Sequence, residues 1–205
     1  SLFGCAFPTG MGLVKNCIKP RKNKTFIIYG LGGIGLSALL AIKSYSPKLI
    51  VVIDRNQKRK KLAIDAGADI FLNSQKNNLE KVTKNLNDNS FYDYCIESTG
   101  FTNSIEKAFK LIKSNSGKLV FASHPEYNKK IRLNPHDLIQ GKIIRGTWGG
   151  QVNFKRDIKF FVDIFLKNKN FIKKYFCDFY AFKDINKAIS DLRAGKSLRP
   201  IIKIR

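Results

Sequence analysis

The segment Gly30-Leu31-Gly32-Gly33-Ile34-Gly35 has the spacing G-x-G-x-x-G and lies between an apolar run, Phe26–Tyr29, and an Ala- and Leu-rich stretch. The run is typical of a strand and the stretch of a helix. In that context the first glycine permits a tight turn, the second lets the backbone approach a pyrophosphate, and the third allows the helix to pack on the strand. The amides of the helix's first turn then face the phosphates. The segment therefore predicts a dinucleotide-binding loop.

An acidic residue follows the next apolar run at the distance that such a loop requires. Asp54 comes directly after Leu49–Ile53 and lies 19 residues beyond Gly35. A carboxylate at this distance accepts hydrogen bonds from the adenosine ribose hydroxyls. It also repels a 2′-phosphate, which favours NAD over NADP, although the nearby Arg55 and Arg59 keep NADP open as the alternative.

Short β-branched runs alternate with longer periodic segments from Thr25 onward, which is the pattern of βα units around a parallel sheet. The predicted strands are Thr25–Tyr29, Leu49–Ile53, Ile70–Leu72, Tyr92–Glu97, Lys118–Phe121 and Ile143–Gly146. The predicted helices are Ile34–Tyr45, Asn56–Ala66, Leu79–Leu86 and Thr102–Ile112. Six strands fit an α/β fold of the Rossmann type, with a doubly wound, parallel, six-stranded sheet.

The alternation stops after Gly149-Gly150, and the remaining chain has a different pattern. It predicts a helix over Asp157–Lys167, a strand over Tyr175–Tyr180, a helix over Asp184–Arg193 and a strand over Ile201–Ile204. We therefore expect residues 1–150 to form the dinucleotide-binding domain. Residues 151–205, called the tail from here on, are expected to form a C-terminal α/β segment.

Composition excludes several classes of protein. No run approaches the roughly 18 apolar residues of a membrane span, and the first residues lack the basic start of a signal peptide, so we expect a cytoplasmic protein with no membrane partner. The four cysteines, Cys5, Cys17, Cys95 and Cys177, form no C-x-x-C pair and are expected to be reduced thiols.

The net charge of +23 is the one feature that suggests a polyanionic partner. The lysines are spread over nearly every predicted element and accompany many Asn and Ile residues, a bias that an AT-rich genome favours. We therefore do not expect a nucleic-acid partner, although a basic surface offers generic attraction for phosphate-bearing ligands.

Four further segments carry a resemblance to a known family. They are Leu2–Gly10, Gly67-Ala68-Asp69, Glu97-Ser98-Thr99-Gly100 and Arg193–Arg199. Together with the glycine loop they resemble the zinc-containing alcohol dehydrogenases of the medium-chain dehydrogenase/reductase superfamily. The resemblance extends over almost the whole chain.

The resemblance implies roles for particular residues. Cys5 corresponds to a ligand of the catalytic zinc, whereas a single cysteine beside apolar residues, taken alone, favours a buried core thiol. Other positions are implied to lie near the cofactor. Thr9 and Ile34 would pack near the nicotinamide, and Ser98 and Thr99 follow the fourth strand. The segment Ala122-Ser123-His124 would contact the carboxamide. Arg199 would reach the pyrophosphate.

The departure from the family concerns the metal. Those enzymes have an N-terminal catalytic domain that supplies the other zinc ligands, and this sequence contains neither that domain nor a four-cysteine structural zinc lobe. A catalytic zinc needs three or four protein ligands. We therefore do not expect tight zinc binding here, and the chain is either a fragment or a protein that has lost its catalytic half. The tail then has an apolar face without its cover, which makes a homo-oligomer a reasonable hypothesis.

Three aromatic side chains have less certain roles. His124 follows a strand end, where an acid/base role is conceivable, but we expect a solvent-contacting loop histidine. His136, beside Pro135, is expected to be structural. Trp148 is expected to pack in the core or an interface, with a role in substrate access as the alternative.

The leading hypothesis is the NAD(H)-binding part of a zinc-dependent alcohol or polyol dehydrogenase, inactive in this form. The full-length enzyme would transfer hydride between an alcohol carbon and the nicotinamide. The alternatives are a non-catalytic NAD(H)-responsive or nucleic-acid-binding module, or a site for flavin or S-adenosylmethionine on the same fold.

Overall fold

A computed structural model describes residues 2–75, 79–176 and 178–204. Six strands form one parallel sheet in the order β3-β2-β1-β4-β5-β6. They are β1 Thr25–Tyr29, β2 Leu49–Asp54, β3 Ile70–Asn73, β4 Tyr94–Glu97, β5 Lys118–Phe121 and β6 Ile143–Gly146. The strand order reverses between β1 and β4, as in a doubly wound sheet, which confirms the predicted fold.

Helices pack on both faces of this sheet. They are α1 Ala6–Gly12, α2 Gly33–Ile42, α3 Lys60–Asp65, α4 Leu79–Asn85, α5 Thr102–Leu111 and α6 Pro135–Ile139. A π-helical turn, Leu13–Ile18, continues α1, and α2 and α3 are extended by short 3₁₀ turns. One apolar core joins α1 and α2 to the first face, and a second joins α5 to the other face. The β1 strand is buried on both faces because it lies between these two cores.

The predicted fourth strand is shorter than expected because its first two residues make other contacts. Tyr92 forms only an isolated bridge to Ile112, and its hydroxyl donates to the carbonyl of Thr83 at 2.7 Å. The Asp93 carboxylate accepts the amide and the hydroxyl of Thr25, both at 3.0 Å. These bonds hold the start of β4 beside β1, one residue before the first paired residues, Phe26 and Tyr94.

Helix α1 is absent from the sequence prediction. Its segment contains Pro8, Gly10 and Gly12, which lower helix propensity. Packing outweighs propensity, because Phe7 and Met11 are fully buried in the first core. The hydroxyl of Ser37 on α2 donates to the Ala6 carbonyl at 3.0 Å and ties the two helices together.

The tail contains α7 Phe154–Lys167, α8 Lys169–Phe176, β7 Asp178–Ala181, α9 Ile185–Arg193 and β8 Pro200–Lys203. The prediction of a strand over 175–180 is partly wrong, because Tyr175 and Phe176 end α8 and the strand begins at Asp178. As the last residue of α8, Phe176 packs against Phe7 in the first core. Cys177 lies outside the described residues. The two tail strands pair in parallel in a sheet of their own.

The tail packs on the first core and also exposes apolar side chains. Phe161 and Ile164 of α7 and Ile172 of α8 are buried there. The opposite side of α7 exposes residues at a spacing of four, namely Phe154, Ile158, Val162 and Leu166. The domain boundary at residue 150 stays a prediction. The exposed apolar side of α7 is compatible with a homo-oligomer, which also stays a prediction and can be checked by sedimentation at several concentrations. Among the described residues, no helix is both long and apolar enough to cross a membrane.

A buried carboxylate fastens the tail to the π-helical turn. Asp157 is fully buried and accepts both Nε and Nη2 of Arg156 at 2.8 Å. It also accepts Lys15 Nζ at 2.8 Å, Asn16 Nδ2 at 2.9 Å and the amide of Asn153 at 3.0 Å. The Arg156 guanidinium, followed by Lys15 and the other donors, holds the pKa of Asp157 well below its usual range.

Replacing Asp157 by Ala should lower the free energy of unfolding by about 1–3 kcal/mol, because the Asn153 amide, Asn16 and Lys15 lose the buried acceptor that they share. Urea unfolding monitored by circular dichroism measures the loss. The matched control is Asp163→Ala, which removes an exposed carboxylate from the same helix and should change the unfolding free energy by less than about 0.5 kcal/mol.

The depressed pKa of Asp157 also sets the sign of a pH effect. The stabilisation is fully present above the unfolded-state pKa of about 3.9 and is lost as the pH falls below that value. The Asp157→Ala protein should therefore lose less stability than the wild type between about pH 5 and pH 3. Parallel pH profiles, or no effect of the substitution, would contradict this role.

Candidate functional site

The glycine loop connects β1 to α2 at the point where the strand order reverses. Gly30 has a left-handed φ of 93°, and a Cβ there would lie 2.7 Å from the Thr99 methyl group. A Cβ on Gly35 would lie 2.0 Å from the carbonyl oxygen of Gly30. A Cβ on Gly32 would meet no atom within 4 Å. Gly30 and Gly35 are therefore required by packing, whereas Gly32 leaves open space for a ligand.

Helix α2 begins at this open space. Gly32 is its N-cap, is extended and makes no side-chain capping bond, and the first backbone bond of the helix runs from the Leu36 amide to the Gly32 carbonyl at 2.9 Å. The uncapped amides of the first turn and the helix dipole favour an anion at this position.

Asp54, at the end of β2, binds the loop directly. It is 4% exposed, and its Oδ2 accepts the Leu31 amide at 2.7 Å while its Oδ1 accepts the Asn56 amide at 2.7 Å. Oδ2 also accepts Arg59 Nη1 at 3.0 Å. Three of the roughly four lone-pair sites of the carboxylate are thus used within the chain, and about one remains for a ligand hydroxyl.

Arg59 carries a polar atom that the described protein atoms do not satisfy. Its Nε is buried and has no hydrogen-bond partner among the described residues. An unsatisfied buried donor costs about 1–3 kcal/mol. A ligand oxygen beside Asp54 that accepted this N–H, after a movement of the guanidinium that exposes it, would remove that cost.

A groove of about 880 Å³ runs along the carboxyl ends of β1, β2 and β4. Of the predicted cofactor residues, those lining it are Gly30, Gly32, Asp54, Arg55, Arg59, Ser98 and Thr99. Other lining residues had no predicted role, among them Lys58, Phe101 and Lys107, and Arg193 was named only as part of the segment Arg193–Arg199. The Arg55 guanidinium lies 6.0 Å from the Phe101 ring centroid. The groove contains five basic residues and one acidic residue, so it favours an anionic ligand.

A second buried carboxylate braces the other half of the site. Glu97, at the end of β4, accepts the Thr99 amide at 2.6 Å, the Thr99 hydroxyl and the Ser123 hydroxyl at 2.5 Å. It thereby links the end of β4 to the end of β5. Glu97 belongs to the motif Glu97–Gly100 without a predicted role of its own, although an acidic residue that ends an apolar strand is itself a detectable signal.

Ser98 connects the two halves, since its hydroxyl donates to the Gly30 carbonyl at 2.8 Å and its amide to the Tyr29 carbonyl at 2.9 Å.

The aromatic residues beyond β5 and β6 lie outside the groove. His124 is exposed and meets Trp148 edge to face, with the ring centroids 4.7 Å apart. Trp148 is 83% exposed, so the expectation that it packs in the core is wrong, because β6 is the edge strand and its end faces solvent. Ala122 is buried, and His136 lies in the first turn of α6, where its amide donates to the Asn134 side chain.

The remaining predicted positions do not line the groove. Leu31 and Thr9 are buried, and Ile34 packs against the first core. Gly33 faces Ala6, with a would-be Cβ 3.2 Å from the Ala6 methyl. Arg199 lines a separate cavity of about 300 Å³ with Leu198 and Pro200. The structure therefore does not bring Thr9, Ile34, His124 or Arg199 to the groove wall.

The residues that the structure describes do not form a zinc site. Cys5 is exposed and precedes α1, so the core-thiol alternative is wrong. Within residues 2–75, 79–176 and 178–204 no three His, Cys, Asp or Glu side chains are grouped to hold a metal ion. A thiolate without further ligands does not bind zinc tightly.

Comparison with known proteins decides the family. The family described as "Zinc-binding dehydrogenase" matches residues 33–167. The chain belongs to this zinc-binding dehydrogenase family. The match confirms the resemblance, and the alternative of a nucleic-acid-binding module is not favoured.

The relatives are alcohol dehydrogenases that are longer than this chain. Alcohol dehydrogenase 1 of Zea mays is 26% identical over 99% of this chain and 54% of that protein. Alcohol dehydrogenase-like 1 of Arabidopsis thaliana is 29% identical over 98% of this chain and 53% of that protein. The chain thus spans about half the length of these curated relatives, and the half that it matches is the C-terminal one.

Solved structures agree with this assignment. Benzyl alcohol dehydrogenase from Acinetobacter calcoaceticus is 31% identical and superposes with a TM-score of 0.91, covering 98% of this chain and 55% of that one. An alcohol dehydrogenase zinc-binding domain protein from Burkholderia ambifaria is 26% identical with a TM-score of 0.91, covering 99% of this chain and 54% of that one.

Thiol reactivity tests the exposed position of Cys5. In a Cys177→Ser background, a maleimide should label Cys5 first, with Cys17 and Cys95 at least about tenfold slower, because burial raises the pKa of both thiols. Mass spectrometry of a time course locates the label. Adding Cys5→Ser should abolish the fast phase; a fast phase that survives this change would contradict the structure.

Proposed function

We propose that this chain binds NAD(H) in the groove above β1, β2 and β4. The observation that carries the proposal is the glycine loop, which is braced by Asp54 and leaves space only at Gly32. This is the position where a pyrophosphate must approach the backbone most closely. The basic lining of the groove supports a doubly negative diphosphate.

The orientation of the dinucleotide follows from the two carboxylates. The diphosphate binds at the first turn of α2, and the adenosine ribose lies at Asp54 and Arg59, where a hydroxyl can donate to the carboxylate and accept from Arg59 Nε. Asp54 also favours NAD over NADP, since its charge faces the ribose. The nicotinamide half then extends over the ends of β4 and β5, towards Ser98, Thr99 and the segment Ala122–His124.

In the full-length enzyme the reaction is hydride transfer between an alcohol or polyol carbon and the nicotinamide ring. The ring, when bound, is the hydride acceptor. The residues of this chain bind and orient that ring. Cys5 would contribute one zinc ligand, and the others would have to come from outside the described residues. We therefore expect this chain alone to bind the cofactor without oxidising alcohols.

A pair of glycine substitutions separates cofactor binding from folding. Gly32→Ala should leave the free energy of unfolding within about 0.5 kcal/mol, because the new methyl meets no atom, and should weaken NADH binding at least tenfold by blocking the diphosphate. Gly35→Ala should destabilise the fold by about 1–3 kcal/mol, because its methyl collides with the Gly30 carbonyl. NADH fluorescence titration and urea unfolding measure the two effects.

Gly4→Ala is the matched control, since a Cβ at Gly4 also meets nothing within 4 Å and lies away from the groove. It should leave both quantities unchanged. Wild-type protein that does not bind millimolar NADH, or Gly32→Ala protein that binds as tightly as wild type, would refute the proposed site.

A further inference from the structure

One wall of the groove comes from the tail. The last two residues of α9 and the two that follow, Leu192–Gly195, line the groove and are called the tail turn here. Resting on the proposed function, we propose that Arg193 of the tail turn is a cofactor-binding residue that contacts the adenosine end of the dinucleotide.

The position of the tail turn is set by a close approach to the segment after β2. Gly195 is left-handed, with a φ of 68°, and a Cβ there would lie 3.0 Å from Asn56 Nδ2. The amide of Asn56 is bonded to Asp54. The tail turn therefore abuts the residues proposed to hold the adenosine ribose, and not those at the nicotinamide half.

The tail turn is held in place by its own hydrogen bonds. The Ala194 amide donates to the Ser190 carbonyl and the Lys196 amide to the Asp191 carbonyl, both at 2.9 Å. The Ser197 hydroxyl donates to Asp178 of β7 at 2.7 Å. The backbone of Arg193 is thus positioned before any ligand binds, so little ordering of the backbone is required when a ligand arrives.

The charge of Arg193 is not used by the described part of the chain. Arg59 is paired with Asp54, whereas Arg193 forms no ion pair with any described residue. A guanidinium beside the adenosine end can donate to a phosphate or ribose oxygen, with the planar donor geometry that such oxygens favour.

Arg199 provides a contrast within the same tail. It lines the separate cavity of about 300 Å³, and Leu192 lies between that cavity and the groove. In this arrangement the tail guanidinium at the groove is therefore Arg193, six residues before the position that the family resemblance indicates.

The test compares two variants of the full chain with equal net charge. Arg193→Ala should weaken NADH binding about tenfold, the size expected for one charge-assisted hydrogen bond. Lys196→Ala removes an exposed cation next to the tail turn but outside the groove, and should weaken binding by less than about twofold. Thermal unfolding without ligand verifies that both variants fold, and Arg193→Lys should restore part of the affinity.

A second ligand places the contact along the cofactor. The competitor 5′-ADP contains only the adenosine half of the dinucleotide. Arg193→Ala should lower the affinity for 5′-ADP, measured by competition with NADH, by the same factor as the affinity for NADH. Equal NADH affinities of the Arg193→Ala and Lys196→Ala proteins, or unchanged ADP competition, would overturn the role of Arg193 while leaving NADH binding by the wild type intact. Absence of NADH binding by the wild type would instead refute the proposed function.

Discussion

The hydrogen bond between the Asp54 carboxylate and the Leu31 amide, 2.7 Å long, connects the end of β2 to the glycine loop. A buried carboxylate is stable only where its charge is satisfied, and here backbone amides and Arg59 do so. The same bond fixes the distance between the loop and the second strand. The shape of the groove therefore depends on one satisfied charge.

Glu97 has the corresponding position in the second half of the sheet. Its bonds to Thr99 and Ser123 hold the ends of β4 and β5 together, and Ser98 then links this half to the Gly30 carbonyl. The reversal of strand order between β1 and β4 opens a crevice, and a buried carboxylate on each side keeps its walls at a fixed spacing. The main chain of the loops, which the proposed dinucleotide would contact, is thus positioned by the chain itself.

The parts predicted from the sequence are those with local causes. The glycine loop and Asp54 have a fixed spacing along the chain, and β1 and β2 are β-branched runs that are almost entirely buried. Helix α1 could not be predicted in this way, because Pro8, Gly10 and Gly12 oppose it and only its packing on α2 stabilises it. The same holds for Tyr175 and Phe176, which have strand-like residue types but pack as the end of α8.

Positions in and around the site that depend on contacts between residues distant in the sequence could not be predicted either. Trp148 is exposed because β6 is an edge strand, which no local pattern records. Arg193 reaches the groove only because α9 ends against Asn56, more than a hundred residues away along the chain. The net charge of +23 is spread along the sequence, and only the structure shows that five of the basic side chains line one groove.

The most direct test of the account is a titration of the isotope-labelled chain with NADH, followed by the amide chemical shifts. Binding in the groove predicts the largest shifts at the amides of Gly30–Gly35 and of Asp54–Asn56, with smaller shifts at the tail turn. Shifts that leave the glycine loop unchanged, whether absent or confined to another surface, would contradict it.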